Sequence, residues 1–226
     1  MPLSNFMNVD DIQIYVWKIS ESPEELAALL GNQSFYRQVQ QKFKPLSRQQ
    51  EAMIEQILIE KHFNSHEVVL SHKQNGMPYV RNRLSNISIS HTKGWVAVAF
   101  SEKSHYGIDI ETIQSQHRVD GISEYFMTSR EMPVNAQALP LYKLVLWCAK
   151  ESIFKSQMDG VANHMKDFFI PPFVFRPEGN FPAFILSQHG DGKVSVRYFC
   201  NQDYILTVAQ ITSSCGNSDA GEVVGE

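Results

Sequence analysis

Two long helical patterns, each followed by a run of strand patterns, constrain the fold of this chain most strongly. The first helical pattern covers residues 47–63 and the second covers residues 139–158, with apolar residues at helical spacing in both. After each helix, short segments of alternating apolar and polar residues predict antiparallel hairpins. Alternating βαβ units would instead build a parallel sheet. We therefore predict an α+β fold of two pseudo-symmetric halves, each a long helix packed on an antiparallel sheet.

The N-terminal half is predicted to start with a strand and to end in a three-stranded meander. The first strand covers residues 11–19, and Ser47 is the predicted N-cap of the helix that follows. Beyond that helix, a hairpin turns at residues 91–94, and Tyr106–Glu111 adds the third strand of the meander.

The boundaries of the halves follow from the order of these elements. We place the N-terminal half at residues 1–104 and the C-terminal half at residues 105–212. No letter-for-letter repeat accompanies this order, so the predicted pseudo-symmetry rests on the elements alone. Residues 213–226 are small, polar and acidic, and we predict that they form a disordered tail.

The composition excludes several classes of protein. The 226 residues carry a net charge of -4, whereas dedicated nucleic-acid-binding proteins usually have a basic domain or stripe. No apolar run approaches the roughly 18 residues of a membrane helix, and the N-terminus lacks the features of a secretory signal. The three cysteines form no metal-binding spacing. We expect a cytoplasmic protein that binds neither nucleic acid nor membrane.

Two carboxylates stand two residues apart in the otherwise apolar strand pattern YGIDIE, Tyr106–Glu111. Side chains at i and i+2 of a strand point to the same face, so Asp109 and Glu111 project together. Neighbouring carboxylates repel each other, and a hard cation such as Mg²⁺, which prefers oxygen ligands, relieves that repulsion. Their spacing fits a solvent-facing acidic strand end as well as a metal site.

The second long helix carries polar residues in the segment WCAKESIFK, Trp147–Lys155. Glu151 and Lys155 are four residues apart and therefore share one helix face. They fit a third carboxylate for a cation and an ammonium for a phosphate oxygen. They fit equally an exposed pair on the helix surface, with Trp147 filling the core.

The hairpin segment SISHT places Ser90 and His91 next to a predicted turn. A hydroxyl, an imidazole and backbone N–H groups can together receive an anion at such a position. A single histidine at a strand end is also a common surface or capping residue.

Four short motifs in this order resemble the 4′-phosphopantetheinyl transferase superfamily, in its long, two-half form. They are NGMP, ISISHT, GIDIE and WCAKESIFK, and the resemblance covers roughly residues 45–157. The most specific feature is the pairing of G-[IV]-D-[IVL]-E with W-x-x-K-E. Between these two motifs, Phe126 and Glu131 match the F-x-x-x-x-E pattern of the family.

The resemblance implies transfer of the 4′-phosphopantetheine group from coenzyme A to a serine of an apo acyl- or peptidyl-carrier protein, with release of 3′,5′-ADP. It implies Mg²⁺ as cofactor, with Mn²⁺ as an alternative, and a monomer, because each half supplies what two subunits supply in the short form. The implied metal ligands are Asp109, Glu111 and Glu151. The implied catalytic residues are Asp109, Glu151 and Lys155, with Glu151 or a water held by it or the metal as base. The implied contacts to coenzyme A are Arg48, Ser90, His91, Lys150 and Lys155.

The chain departs from the family pattern at the turn Gly76-Met77-Pro78, where the family has G-K-P. A lysine near the nucleotide is therefore missing, and Lys73 or Arg81 is the candidate to replace it. The usual alanine after K-E is Ser152, a small change that we expect the fold to tolerate.

The carrier protein is expected to dock between the halves, near residues 112–140, with Phe126, Met127 and Arg130 as candidate contacts. The sequence does not distinguish carriers of fatty-acid, polyketide or nonribosomal peptide synthesis. Two other functions stay open. One is a Mg²⁺-dependent phosphoester or anhydride hydrolase on the same carboxylates, against which the lack of a G-x-x-x-x-G-K-[ST] loop argues. The other is a non-catalytic homologue that binds coenzyme A or a carrier, against which the intact motif residues argue.

Overall fold

The computed structural model describes residues 3–31, 33–133, 139–157, 164–186 and 192–213 of the chain. The N-terminal part of the described chain consists of β1 (Leu3–Val9), β2 (Ile12–Lys18), α1 (Pro23–Leu29), α2 (Gln33–Lys42), α3 (Leu46–Phe63), β3 (Leu70–His72), β4 (Pro78–Val80), β5 (Asn86–Thr92) and β6 (Trp95–Ser101). The C-terminal part consists of β7 (Tyr106–Thr112), α4 (Gln116–Gly121), α5 (Ser123–Phe126), α6 (Leu139–Ser156), β8 (Phe168–Phe169), β9 (Glu178–Ile185), β10 (Gly192–Cys200) and β11 (Tyr204–Ser213).

The strands form two main antiparallel sheets and one small hairpin. The N-terminal sheet has the order β1-β2-β6-β5, and the C-terminal sheet has the order β7-β11-β10-β9-β8. β3 and β4 pair with each other across the turn that contains Gly76, whose φ of 84° lies in the left-handed region that favours glycine. The predicted class, a mixed α+β chain with antiparallel sheets, is confirmed.

The predicted meander is wrong, because β7 does not continue the sheet of β5 and β6. Both edges of β6 are already paired, one with β2 and the other with β5. β7 therefore has no free edge of β6 to pair with and joins β11 in the other sheet, with Asp109 opposite Thr207. The connection at residues 102–105 thus carries the chain from one sheet to the other.

The apolar residues form three clusters that stack the helices and sheets in layers. One cluster lies between α1, α3 and the N-terminal sheet, and another lies between α6 and the C-terminal sheet. The third contains residues of both sheets, such as Ile14 and Ala97 from one and Ile108, Ile110 and Leu206 from the other. The two sheets therefore pack face to face, and each is covered by a helix on its outer face.

Serine side chains of β5 join the two sheets at the edge of β7 that pairs with no strand. Ser88 Oγ accepts a hydrogen bond from the Ile108 N–H at 2.9 Å, and Ser90 Oγ accepts one from the Ile110 N–H at 3.2 Å. Buried backbone N–H groups without partners are costly. The alternating serines of ISISHT therefore satisfy an edge that backbone pairing leaves open.

Gly107 brings β7 into direct contact with α6. A Cβ atom at this position would lie 2.1 Å from the Ser152 carbonyl oxygen and 2.7 Å from the Ser156 backbone nitrogen. Both atoms belong to the backbone of a helix and cannot move aside as a side-chain tip could. The first residue of GIDIE is therefore a packing requirement, and it fixes how closely the helix approaches the strand.

The ends of the helices differ from the sequence prediction in detail. α3 begins at Leu46, and its N-cap is Pro45 without a side-chain hydrogen bond, so Ser47 is not the N-cap. The patterns also missed β1 and α2, which lie beside the elements they did predict. None of the described helices is both long and apolar enough to cross a membrane.

Parts of the predicted organisation are neither confirmed nor contradicted by this architecture. The approximate symmetry of the halves and their boundaries at residues 1–104 and 105–212 stay predictions. Ser213 belongs to β11, and the rest of the predicted tail, residues 214–226, lies outside the described residues, as does residue 158 at the predicted end of the second helix.

Replacing Gly107 with alanine should destabilise the protein, because the new methyl group overlaps the backbone of α6. Overpacking of this kind costs about 1–3 kcal/mol and sometimes more. Urea unfolding of Gly107→Ala measures the loss as a lower transition midpoint.

Gly121→Ala is the matched control, since a Cβ atom at that position meets nothing within 4 Å. Alanine in α4 should leave stability unchanged or raise it by up to about 1 kcal/mol. Equal midpoints for the two alanine variants would contradict the close contact.

Candidate active site

β7 and α6 bring together the polar residues that the sequence singled out. Asp109 and Glu111 lie on the face of β7 opposite to Ile108 and Ile110, as the alternation predicts. Lys155, on the last turn of α6, donates to Asp109 Oδ1 at 2.7 Å. A strand residue and a helix residue 46 positions apart in the sequence thus meet at one ion pair.

Asp109 is buried, and its two oxygens have different surroundings. Oδ1 accepts hydrogen bonds from Ser90 Oγ at 2.8 Å and from Lys155 Nζ at 2.7 Å. Oδ2 is buried and has no hydrogen-bond partner among the described residues. An unsatisfied carboxylate oxygen in the interior is costly, and it is well suited to a cation.

Both oxygens of the Glu111 carboxylate accept hydrogen bonds from the protein. Oε2 accepts from Thr92 Oγ1 at 2.9 Å and from Ser115 Oγ at 2.8 Å. Oε1 accepts from the guanidinium of Arg118, which lies on α4, at 2.5 Å. The sequence patterns gave no sign of these three partners, because they come from separate elements that only the fold brings together.

Glu151 lies half-buried on α6 near the other two carboxylates. Burial raises its pKa above the usual range, and the nearby Asp109 charge raises it further, while Lys155 opposes both effects. Glu151 forms no hydrogen bond or ion pair with the described residues. It is therefore a carboxylate whose ionised form is destabilised and whose oxygens are available.

The thiol of Cys148 faces the same group of carboxylates from the buried side of α6. Burial raises its pKa well above the usual value, and the charges of Asp109 and Glu111 raise it further. The thiol is therefore neutral, which excludes it as a nucleophile at physiological pH. A side-chain hydrogen bond with Asp109 contributes to the same shift of the Cys148 pKa.

A cavity of about 1000 Å³ opens next to this site, between β3–β4, β5 and the end of α6. Its cationic lining residues are Lys73, Arg83 and Lys155. Its apolar lining includes Met77, Leu84 and Phe154, and Glu102 is its carboxylate among the described residues. Three cations against one carboxylate favour an anionic ligand, and this volume is at the upper end for small-molecule pockets.

The cavity also locates the residues expected near the missing lysine of the G-K-P turn. Met77 itself lines the cavity, and so does Lys73. Arg83 lines the cavity where the sequence analysis named Arg81, which is not among its lining residues. Neither Lys73 nor Arg83 forms an ion pair within the described parts of the chain, although the Arg83 guanidinium lies over the Phe63 ring at 5.4 Å. Neither charge is therefore neutralised by a carboxylate.

The other predicted coenzyme A contacts have partners in the protein. The Ser90 hydroxyl is committed to Asp109 and to the Ile110 N–H, so it positions the carboxylate. His91 Nδ1 lies 3.4 Å from Glu51, which also pairs with Arg48 at 3.0 Å. The fold therefore brings Arg48 and His91 to one carboxylate, outside the lining of the cavity. Their role in binding coenzyme A stays a prediction.

Lys150 is a correction to the sequence analysis, because it lies in the core instead of at the ligand. Its side chain is 0% exposed and pairs with Glu131, also 0% exposed, at 2.8 Å. Lys150 Nζ also donates to the Phe126 carbonyl at 2.6 Å. The F-x-x-x-x-E pattern and the lysine of W-x-x-K-E are therefore one buried structural unit, and Lys150 cannot reach a phosphate.

The carrier-docking candidates are also corrected in part. Phe126 is fully buried and Met127 is buried, so neither offers a surface to a partner. The apolar side chains seen in the sequence fill the core beneath α5. Arg130 is exposed and its guanidinium lies over the Phe169 ring at 4.5 Å, so it stays a candidate.

The three carboxylates have the chemistry to bind a divalent cation, but they are not grouped around one cation position. In the described ranges, no three His, Cys, Asp or Glu side chains are grouped closely enough for a metal site. The fit rests on the unsatisfied Oδ2 of buried Asp109 and on the available carboxylate of Glu151. Oxygen donors of this kind suit Mg²⁺ or Mn²⁺.

The comparison with protein families agrees with the site. A model described as the 4′-phosphopantetheinyl transferase superfamily matches residues 106–209, from the first residue of β7 into β11. This part of the chain is similar to that superfamily. The match, slightly less than half of the chain, includes the carboxylate pair, Glu151 and Lys155, and it supports a transferase. A search of curated proteins found no match.

Removing the charge of Lys150 should destabilise the protein strongly, because Glu131 would stay buried without its counter-ion. Lys150→Met is expected to cost about 3–5 kcal/mol. Urea unfolding with an unchanged m-value measures this loss.

Two further variants make the test specific. The double variant Lys150→Met, Glu131→Gln should recover part of the loss, since no unpaired charge remains. Lys143→Met, on the same helix, breaks the pair with exposed Asp120 and should cost under about 1 kcal/mol. Equal costs for Lys150→Met and Lys143→Met would contradict the buried pair.

Proposed function

We propose that the protein transfers the 4′-phosphopantetheine group from coenzyme A to a serine of an apo acyl- or peptidyl-carrier protein, with Mg²⁺ or Mn²⁺, and releases 3′,5′-ADP. The observation that carries the proposal is the position of Lys155. It lines the cationic cavity and at the same time pairs with Asp109, whose other oxygen is unsatisfied. An anion that binds in the cavity at Lys155 therefore lies next to the carboxylates.

Asp109 and Glu151, with Glu111, would hold the divalent cation, which when bound offsets negative charge on the pyrophosphate of the donor. Asp109 offers Oδ2, because Ser90 and Lys155 hold Oδ1 and thereby fix the orientation of the carboxylate. Such fixed orientation matters, since the chemistry needs alignment and charge stabilisation more than covalent help.

Lys155 contacts the donor directly. Its ammonium is partly exposed at the cavity wall, so it can contact a phosphate oxygen while it stays close to Asp109. In the transfer, the serine oxygen attacks the β-phosphorus of coenzyme A and the bond from that phosphorus to the leaving 3′,5′-ADP oxygen breaks. Lys155 stabilises the negative charge that remains on the leaving phosphate.

Glu151 is the residue that we assign to the proton of the attacking serine, directly or through a water. Its carboxylate lies half-buried beside Asp109 and forms no hydrogen bond or ion pair with the described residues, so one of its oxygens is available to accept the proton. The cavity residues contribute binding: Lys73 and Arg83 attract the phosphates of the donor, and the apolar wall at Met77 and Phe154 excludes water. A cytoplasmic location and a monomeric state stay predictions.

The proposal predicts that Asp109→Asn and Glu151→Gln abolish transfer while the protein stays folded. Each variant is incubated with coenzyme A, Mg²⁺ and apo carrier protein, and the carrier is weighed by mass spectrometry. The wild type should add the mass of phosphopantetheine, and each variant should lose about 100-fold or more in rate.

Asp10→Asn and Glu67→Gln are the matched controls, because both residues are exposed and lie outside the cavity lining and the expected docking segment, and Asn tolerates the positive φ of residue 10. They should transfer at the wild-type rate. No mass gain by the wild type across fatty-acid, polyketide and peptide carriers would contradict the proposal. Release of phosphate or nucleotide without a carrier would identify a hydrolase, and coenzyme A binding without any product would identify a non-catalytic homologue.

A lysine at position 77 should strengthen donor binding, because it adds a cation to a cavity that already favours anions. We expect Met77→Lys to bind coenzyme A about fivefold more tightly, the gain of one additional partly exposed charge contact. Titration calorimetry of donor binding measures the change. Met132→Lys, at an exposed methionine outside the cavity lining, should bind as the wild type does. Unchanged coenzyme A binding by Met77→Lys would contradict the prediction that position 77 lies at the donor site.

A further inference from the structure

Arg118 engages one of the three carboxylates of the candidate site. Its guanidinium donates to Glu111 Oε1 at 2.5 Å, while Thr92 and Ser115 donate to Oε2. The Arg118 side chain is 55% exposed, whereas the Glu111 side chain is 14% exposed. The flexible, exposed side chain of Arg118 therefore reaches inward to Oε1, the Glu111 oxygen that Thr92 and Ser115 do not contact.

The other two carboxylates are not closed in this way. Asp109 keeps one buried oxygen without a hydrogen bond, and Glu151 has no hydrogen bond or ion pair within the described ranges. Of the three expected ligands, Glu111 is the one whose two oxygens both have partners in the protein.

A divalent cation on Glu111 would meet the guanidinium on the same carboxylate. The two positive charges repel each other, and a guanidinium at hydrogen-bond distance competes for space with the waters that Mg²⁺ keeps in its near-ideal octahedral shell. Thr92 and Ser115 pose no such conflict, since neutral hydroxyl donors on Oε2 can orient a ligating carboxylate. Among the three partners of Glu111, the conflict is therefore confined to Arg118.

We propose that Arg118 is a positioning residue that holds Glu111 in the cation-free protein and leaves it when a divalent cation binds. This inference rests on the proposed function, because it takes the three carboxylates as cation ligands. It accounts for the lack of a three-ligand cluster in the described part of the chain. The metal site is complete only after the arginine has moved into solvent, which its exposed and flexible side chain permits.

The test measures Mn²⁺ binding by electron paramagnetic resonance of the free ion, with coenzyme A present and without any carrier protein. Arg118→Gln should bind Mn²⁺ about two- to fivefold more tightly than the wild type, as expected for the loss of a partly exposed ion pair. Thermal unfolding gives a second readout: Arg118→Gln should melt at a lower temperature without Mn²⁺ and gain more from added Mn²⁺.

A double-mutant cycle with Glu111→Gln distinguishes a specific contact from a general charge effect. In the Glu111→Gln background, Arg118→Gln should leave Mn²⁺ affinity unchanged, because the contact it breaks no longer competes with the metal. Arg37→Gln, an exposed arginine on α2, is the control and should bind as the wild type does.

Equal or weaker Mn²⁺ binding by Arg118→Gln, with normal binding by the wild type, would overturn the inference and leave the proposed function intact. An equally large effect in the Glu111→Gln background would overturn it too, since Arg118 would then act only as a distant charge. Lack of Mn²⁺ binding by the wild type would overturn both this inference and the metal requirement of the proposed function.

Discussion

The close contact between Gly107 and the backbone of α6 is the constraint on which the site depends. It allows the strand and the helix to approach so closely that a methyl group would not fit between them. At that separation, Lys155 reaches Asp109 at 2.7 Å and Glu151 lies within the field of the same carboxylate. A wider spacing would separate the carboxylates on β7 from the residues on α6. Gly107 therefore supports the site only by allowing this close packing.

Two further interactions hold these elements in register. On the open edge of β7, Ser88 and Ser90 replace a missing strand by accepting hydrogen bonds from its backbone. Ser90 in addition orients Asp109. Below α6, the buried pair of Lys150 and Glu131 ties the helix to the segment between the motifs. Because successive helix positions point in different directions, Lys150 serves the core while Glu151 and Lys155 serve the site.

The sequence predicted the elements of this site better than their surroundings. Alternation placed Asp109 and Glu111 on one face of a strand, and helical spacing placed Glu151 and Lys155 on one face of a helix, because both patterns are local. Which strand pairs with β7 depends on which edges remain free, and no local pattern carries that information. The same holds for Thr92, Ser115 and Arg118, which reach Glu111 from separate elements. Lys150 was misassigned because its motif gives no sign that this lysine pairs with the buried Glu131.

The central claim is that the buried Oδ2 of Asp109 and the carboxylate of Glu151 hold a divalent cation beside a donor in the adjoining cavity. Crystals grown with coenzyme A and Mn²⁺, measured at a wavelength where manganese scatters anomalously, test it most directly. The account predicts an anomalous peak within coordination distance of Asp109 Oδ2 and Glu151, with donor phosphates next to Lys155. Coenzyme A bound in the cavity without a peak at Asp109, or a peak only at other carboxylates, would contradict it.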